Sequence, residues 1–185
     1  MRILVTGATG TVGRDVVAEL SHYDCEVIPA VRDPERTSLA NAVAFDFTDR
    51  KTHTSCLSGV DSLFLVRPPA ISDVDRSIAP VLDNAARQGV SRIVFLSIQG
   101  VESMSWVPHA KIEERIRQTG IQSVFLRAGF FMQNLVAAHL AEIRDEDSIV
   151  LPAGRSRTAF VDTRDIAAVA AAELTAERPA ASAVP

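Results

Sequence analysis

The chain opens with Arg2-Ile-Leu-Val-Thr-Gly-Ala-Thr-Gly-Thr-Val-Gly13, and this stretch limits the possible fold more than any other. The short apolar run Ile3-Leu4-Val5 ends in Gly7, Gly10 and Gly13, spaced three residues apart. Val12, Val16, Val17 and Leu20 then recur at helical spacing. The pattern predicts a strand, a tight glycine turn and the start of a helix. Backbone N–H groups exposed at such a start, from Thr9 through Thr11 and Val12 to Gly13, suit a pyrophosphate, with the helix dipole adding to the attraction. Gly7 would permit the turn, Gly10 would admit the phosphates, and Gly13 would let the helix lie close to the strand. The bland alternative is a glycine turn that merely closes a βα unit.

Length and charge narrow the partners. A chain of 185 residues fits one domain with a sizeable core. Its net charge of −4 leaves no basic stripe for nucleic acid. Cys25 and Cys56 stand in unrelated contexts, with neither metal spacing nor a disulfide framework, so no metal site is expected. The first residues enter a strand directly and no apolar stretch would span a bilayer, so neither a signal peptide nor a membrane partner is expected. Together these features point to the cytoplasm.

Short apolar runs alternate with amphipathic segments, which predicts right-handed βαβ crossovers and a parallel sheet between helical layers. Strands are expected at Arg2–Thr6, Glu26–Val31, Ala42–Asp46, Ser62–Val66, Ser91–Ser97 and Ser123–Arg127. Helices are expected near Val12–Ser21, Ile71–Gln88, Ala110–Thr119 and Thr163–Ala176, with a weaker one at Thr48–Leu57. Gly89 and Gly120 read as helix stops, and Asp162 as a helix cap. Residues 1–177 form the expected dinucleotide-binding domain, and 178–185 a loose tail.

About 20 residues beyond a glycine loop, the second strand usually presents the group that reads the adenosine ribose. Here Val31-Arg32-Asp33 falls at that point. Arg32 would pair with a 2′-phosphate and so select NADP, whereas Asp33 would serve the free ribose of NAD. Asp46-Phe47 ends the third strand, where the carboxylate either meets the adenine amine or caps the next helix. Val66-Arg67-Pro68-Pro69 ends the fourth strand. Its prolines keep a loop extended over the cofactor, and Arg67 either approaches the pyrophosphate or is simply solvated.

Val5 to Gly13 resembles the glycine loop of atypical short-chain dehydrogenases of the NmrA-like group. Val90–Ser97, Gly120–Asn134 with Leu-Arg-Ala-Gly-Phe-Phe-Met-Gln-Asn, and Phe160–Ile166 match the same group, so the resemblance spans almost the whole chain. It implies a Rossmann-like, doubly wound αβα fold and a nicotinamide cofactor. It also implies reduction of a small molecule such as a quinone, a dye or a conjugated carbonyl, by a monomer or homodimer. Ordinary short-chain dehydrogenases use a tyrosine acid and, four residues on, a lysine. Here those positions carry Ser105 and His109, and the single tyrosine is Tyr23.

Catalytic and cofactor roles are therefore expected of His109 and of Ser97 at the end of the fifth strand. The acceptor would lie between Ser97, His109 and Phe130. Lys111 is a poor substitute, because two residues of helix rotate it about 200° from His109. Pro108 suits a first helical turn, and a helix starting there would leave Ser105 in the preceding loop. Relatives in this group continue past the Phe160–Ile166 helix with a region that covers the substrate, so the expected substrate region is reduced or absent. A quinone needs no strong protein acid, which keeps reduction open. The alternative is an NAD(P)-dependent sensor without turnover.

Overall fold

A computed structural model describes residues 1–150, 154, 157–177 and 183–184. The strands are β1 (Arg2–Thr6), β2 (Glu26–Val31), β3 (Val43–Ala44), β4 (Ser62–Leu65), β5 (Arg92–Ile98), β6 (Gln122–Ala128), β7 (Phe130–Phe131), β8 (Phe160–Val161) and β9 (Ala183–Val184). The helices are α1 (Thr11–Leu20), α2 (Lys51–Leu57), α3 (Val74–Ser77), α4 (Ala79–Arg87), α5 (Pro108–Thr119), α6 (Gln133–Glu146) and α7 (Thr163–Thr175). The main sheet is parallel, in the order β3-β2-β1-β4-β5-β6-β9, with a separate β7-β8 pair. This is a Rossmann-like doubly wound sheet whose strand order reverses between β1 and β4, where such folds open a crevice for ligands.

Side-chain alternation builds the two helical layers. Leu4, Leu63, Leu65, Ile93, Phe95 and Phe125 pack with Leu57, Leu82 and Ile112 of α2, α4 and α5. Their neighbours Ile3, Val5, Phe64, Val94 and Leu126 pack on the other side with Val16 of α1 and Ala170 of α7. Strands buried on both faces read as continuous apolar runs, and for that reason β1, β4 and β5 are legible in the sequence.

Several boundaries differ from expectation. The helix foreseen over Ile71–Gln88 is two helices, α3 and α4. Asp73 caps α3 by accepting from the Arg76 N–H, and Pro80 in the first turn of α4 has no N–H to continue α3. The third strand shrinks to Val43–Ala44, leaving Asp46 in the following turn. Gly89 and Gly120 have the positive φ of helix stops. Helix α6 and the β7-β8 pair have no counterpart in the expected elements. Of the expected tail, 178–182 and 185 lie outside the described residues, while Ala183–Val184 pair with β6. Among the described residues no helix is long and apolar enough to cross a membrane.

The glycine loop holds its shape through one contact. A Cβ on Gly13 would stand 2.1 Å from the Gly7 carbonyl oxygen, with backbone on both sides of the clash. Gly13→Ala should therefore cost about 3 kcal/mol through overpacking, read as a lower urea midpoint. An unchanged midpoint would show that α1 can slide away from β1 freely.

Candidate functional site at the sheet edge

The glycine turn sits at the switch point between β1 and β4. Gly7 has φ +64°, and the Gly10 N–H donates to its carbonyl at 2.8 Å. Gly10 precedes α1 in extended conformation, and no side chain caps the helix. The N–H groups of Thr11, Val12 and Gly13 thus lack intrahelical and side-chain acceptors, the condition for binding an anion. Thr9 and Thr11 are exposed, whereas the side chain of Val12 is core, so Val12 offers only its N–H. Thr6 is a residue the motif does not single out. Its buried hydroxyl donates to the Phe64 carbonyl at 3.0 Å and accepts from the Val66 N–H at 2.8 Å, tying β1 to β4 beside the crevice. Val66 stands against Gly7, 3.6 Å from where a Cβ would be.

On the β2 side Arg32 is exposed just past the strand. Asp33 is engaged locally, accepting from the Glu35 N–H at 3.1 Å. Asp46 accepts from the N–H and hydroxyl of Thr48, both at 2.7 Å. These bonds, led by the backbone one and helped by the charge of Arg32, hold its carboxyl below the usual range. Asp46 therefore stabilises its own turn with one oxygen. Phe47 is 6% exposed and packs edge-on against Phe45 at 4.7 Å, as part of the core beside the Asp46 turn. Arg67 also departs from expectation. It folds back onto its own loop, donating to the carbonyls of Pro68, Pro69 and Ile71 at 3.1, 3.1 and 2.6 Å. Pro68 is held by this clamp, and the guanidinium is not simply solvated.

At the other end the strands β5 and β6 meet α5. Its helix begins at Pro108, which leaves Ser105 in the preceding turn and exposed Lys111 facing a recess shared with Ser105. His109 stacks on Phe95 with ring centres 6.0 Å apart. Burial and then the nearby charge of Arg67 push its imidazole down to about 4. Ser97 is 2% exposed, and its hydroxyl donates to Glu113 Oε1 at 2.7 Å, so its proton is committed inward. Tyr23 lies in the turn before β2, at the opposite edge of the sheet.

Glu113, expected from the sequence only to anchor its helix by a polar contact, is the centre of this end of the sheet. Besides Ser97 it accepts from Arg127 Nε at 3.1 Å, Arg127 Nη2 at 2.8 Å and Arg117 Nη2 at 2.8 Å. Burial pushes its carboxyl up, but these donors and the charge of Arg127 outweigh burial and hold it down. The available signal was a glutamate on the apolar face of α5, between buried Ile112 and Ile116.

Beyond β6, Phe130 is half-buried and meets Phe160 edge-on at 5.4 Å. A cavity of about 350 Å³ opens here, lined by Gln99, Arg127, Gly129, Phe160, Asp165 and Val169 among others. Gln133 clasps the start of α7, donating to Asp162 at 2.7 Å and accepting from the Thr163 N–H at 3.1 Å. The segments Leu126–Asn134 and Phe160–Ile166, far apart in sequence, thus form one corner of the site.

A model of the NmrA-like family matches residues 1–183. The NAD(P)H azoreductase of Xenophilus azovorans is 32% identical over 184 residues, covering 94% of this chain and 63% of its own. Prestalk A differentiation protein A of Dictyostelium discoideum is 32% identical over 174 residues, covering 90% and 57%. The chain therefore spans less than two thirds of the length of these curated relatives. A Citrobacter sp. triphenylmethane reductase, solved in complex with NADP(H), superposes with a TM-score of 0.85 at 26% identity, over 99% of this chain and 68% of that one.

The state of His109 has a consequence for stability. The unfolded chain takes up this proton near 6.5 and the folded chain only near 4, so folding loses stability as pH falls through that interval and keeps its full value above it. His109→Gln cannot titrate and should show a shallower loss between those limits in urea unfolding. Parallel profiles for the two proteins would show that the imidazole is not desolvated.

Proposed function

The chain belongs to the NmrA-like family, and on that premise we propose that it binds NADP(H) along the C-terminal edge of its sheet and reduces a quinone-like or conjugated acceptor. The observation that carries this reading is the uncapped start of α1, set against Gly7 at the switch point of the sheet. Thr11, Val12 and Gly13 would hold the pyrophosphate by their N–H groups, with Gly10 leaving room. Exposed Arg32 would meet the 2′-phosphate, since Asp33 already serves its own turn. The Citrobacter relative is named with NADP(H), which agrees with that choice. NAD fits the same backbone cradle without using Arg32.

When bound, the reduced nicotinamide supplies a hydride. The residues at the sheet edge then govern which acceptors can use it. Ser97 donates its hydroxyl hydrogen bond to Glu113, and His109 is neutral at pH 7 because its proton leaves near 4. Neither is a ready acid. An acceptor whose reduced oxygen is weakly basic, such as a quinone, can take its proton from water instead. An alkoxide-forming ketone cannot do so readily without an acid. Neutral His109 can still hydrogen-bond a ribose or an acceptor oxygen, held in place by Phe95. The apolar cavity past Gly129 and Phe160 would face such an acceptor. Relatives named as reductases weigh for turnover over the sensing alternative.

Steady-state NADPH oxidation with a panel of quinones, azo dyes and simple ketones tests the acceptor class. Turnover with quinones and none with ketones is expected, and ketone reduction at comparable rates would contradict it. Arg32→Ala should weaken NADPH by about 1–3 kcal/mol, the worth of a charge-assisted hydrogen bond, and leave NADH nearly unchanged. Equal losses for both nucleotides would show that Arg32 does not read the phosphate.

A further inference from the structure

We infer that Glu113 is a positioning residue for the nicotinamide half of the cofactor site, an inference that rests on the cofactor reading above. Its carboxylate joins three elements at one point. Ser97 lies one residue before the end of β5, Arg127 one residue before the end of β6, and the two are direct partners across the parallel strands. Both donate to Glu113 of α5, at 2.7 Å from Ser97 and at 3.1 and 2.8 Å from Arg127. One helical turn earlier, His109 stacks on Phe95, which shares a face of β5 with Ser97. The first two turns of α5 are thus fastened to the last residues of β5 twice, once by a ring stack and once by a carboxylate. Arg127 extends the tie through Nη1 to Glu102, on the turn after β5, at 3.4 Å.

Stability alone is a poor reason for such a group. Burying a carboxylate is costly, and an apolar side chain of similar size commonly packs as well or better. Directional bonds to two strand ends fix something apolar packing leaves loose: the spacing of the β5 and β6 termini and the tilt of the helix that carries His109. Those are the positions that would meet the nicotinamide and its ribose. The adenosine half would be held at β1, β2 and α1, none of whose residues is a hydrogen-bond or ion-pair partner in these Glu113 and Arg127 contacts.

The separation gives the test. Calorimetric titrations with NADPH and with adenosine 2′,5′-bisphosphate, which lacks the nicotinamide half, are compared for the wild type, Glu113→Gln and the double variant Glu113→Gln/Arg127→Gln. The double variant also removes the part-buried guanidinium that the single one leaves with Glu102 as its carboxylate partner, so it covers the case in which Glu113→Gln fails to fold. Glu113→Gln should weaken NADPH at least tenfold and the bisphosphate less than twofold, and the double variant should show the same selective loss. Equal weakening of both ligands, unchanged NADPH affinity, or recovery of NADPH affinity in the double variant would each overturn the inference. A wild type that binds neither ligand would instead remove the cofactor reading beneath it.

Discussion

The close crossing of β1 and α1 is the contact on which the site depends. With no Cβ on Gly13, the helix approaches the Gly7 carbonyl to within a distance that any side chain would prevent. That approach aims the free N–H groups of Thr11, Val12 and Gly13 at the crevice where the strand order reverses. Thr6 supplies the other restraint, since its hydroxyl bridges β1 and β4 at the level where the strands end. An anion bound there would meet oriented dipoles that need no rearrangement, so a few backbone groups would suffice to hold a doubly charged bridge.

The far half of the edge obeys different physics. Among the described residues most of its polar groups are partnered within the chain: Ser97 and Arg127 with Glu113, and Arg67 through Nη1 with its own loop carbonyls, while the buried Nε of Arg67 has no partner. The imidazole of His109 stays neutral because burial and the nearby guanidinium of Arg67 both oppose its charge. An edge built this way can orient a ring and shape a cavity, but it has little acidity to give. On the proposed reading, the chemistry it suits would therefore be set by the acceptor's own need for a proton.

Legibility in the sequence followed the kind of force involved. Apolar runs buried on both faces gave β1, β2, β5 and β6 nearly to the residue, and the glycine spacing gave the cradle. Helix α6 escaped notice because no residue of it is buried. Val136 and Leu140 are exposed, so no core-facing periodicity marks it. The β7-β8 pair joins residues thirty positions apart, a match no local window contains. Charged residues were the least legible. A sequence shows that Arg67 and Glu113 are present, but whether each turns outward or inward depends on carbonyls and donors brought together only by the fold. Phe47 and Ser97 show the same dependence, each being held toward the interior by a neighbour, Phe45 and Glu113.

Backbone amide signals followed by NMR during titration with NADPH test the central claim most directly. The resonances of Gly10, Thr11, Val12 and Gly13 should move furthest and saturate together, as expected of N–H groups that take up a diphosphate. If the nucleotide shifts signals elsewhere while these four stay still, the glycine turn is only a tight corner between a strand and a helix.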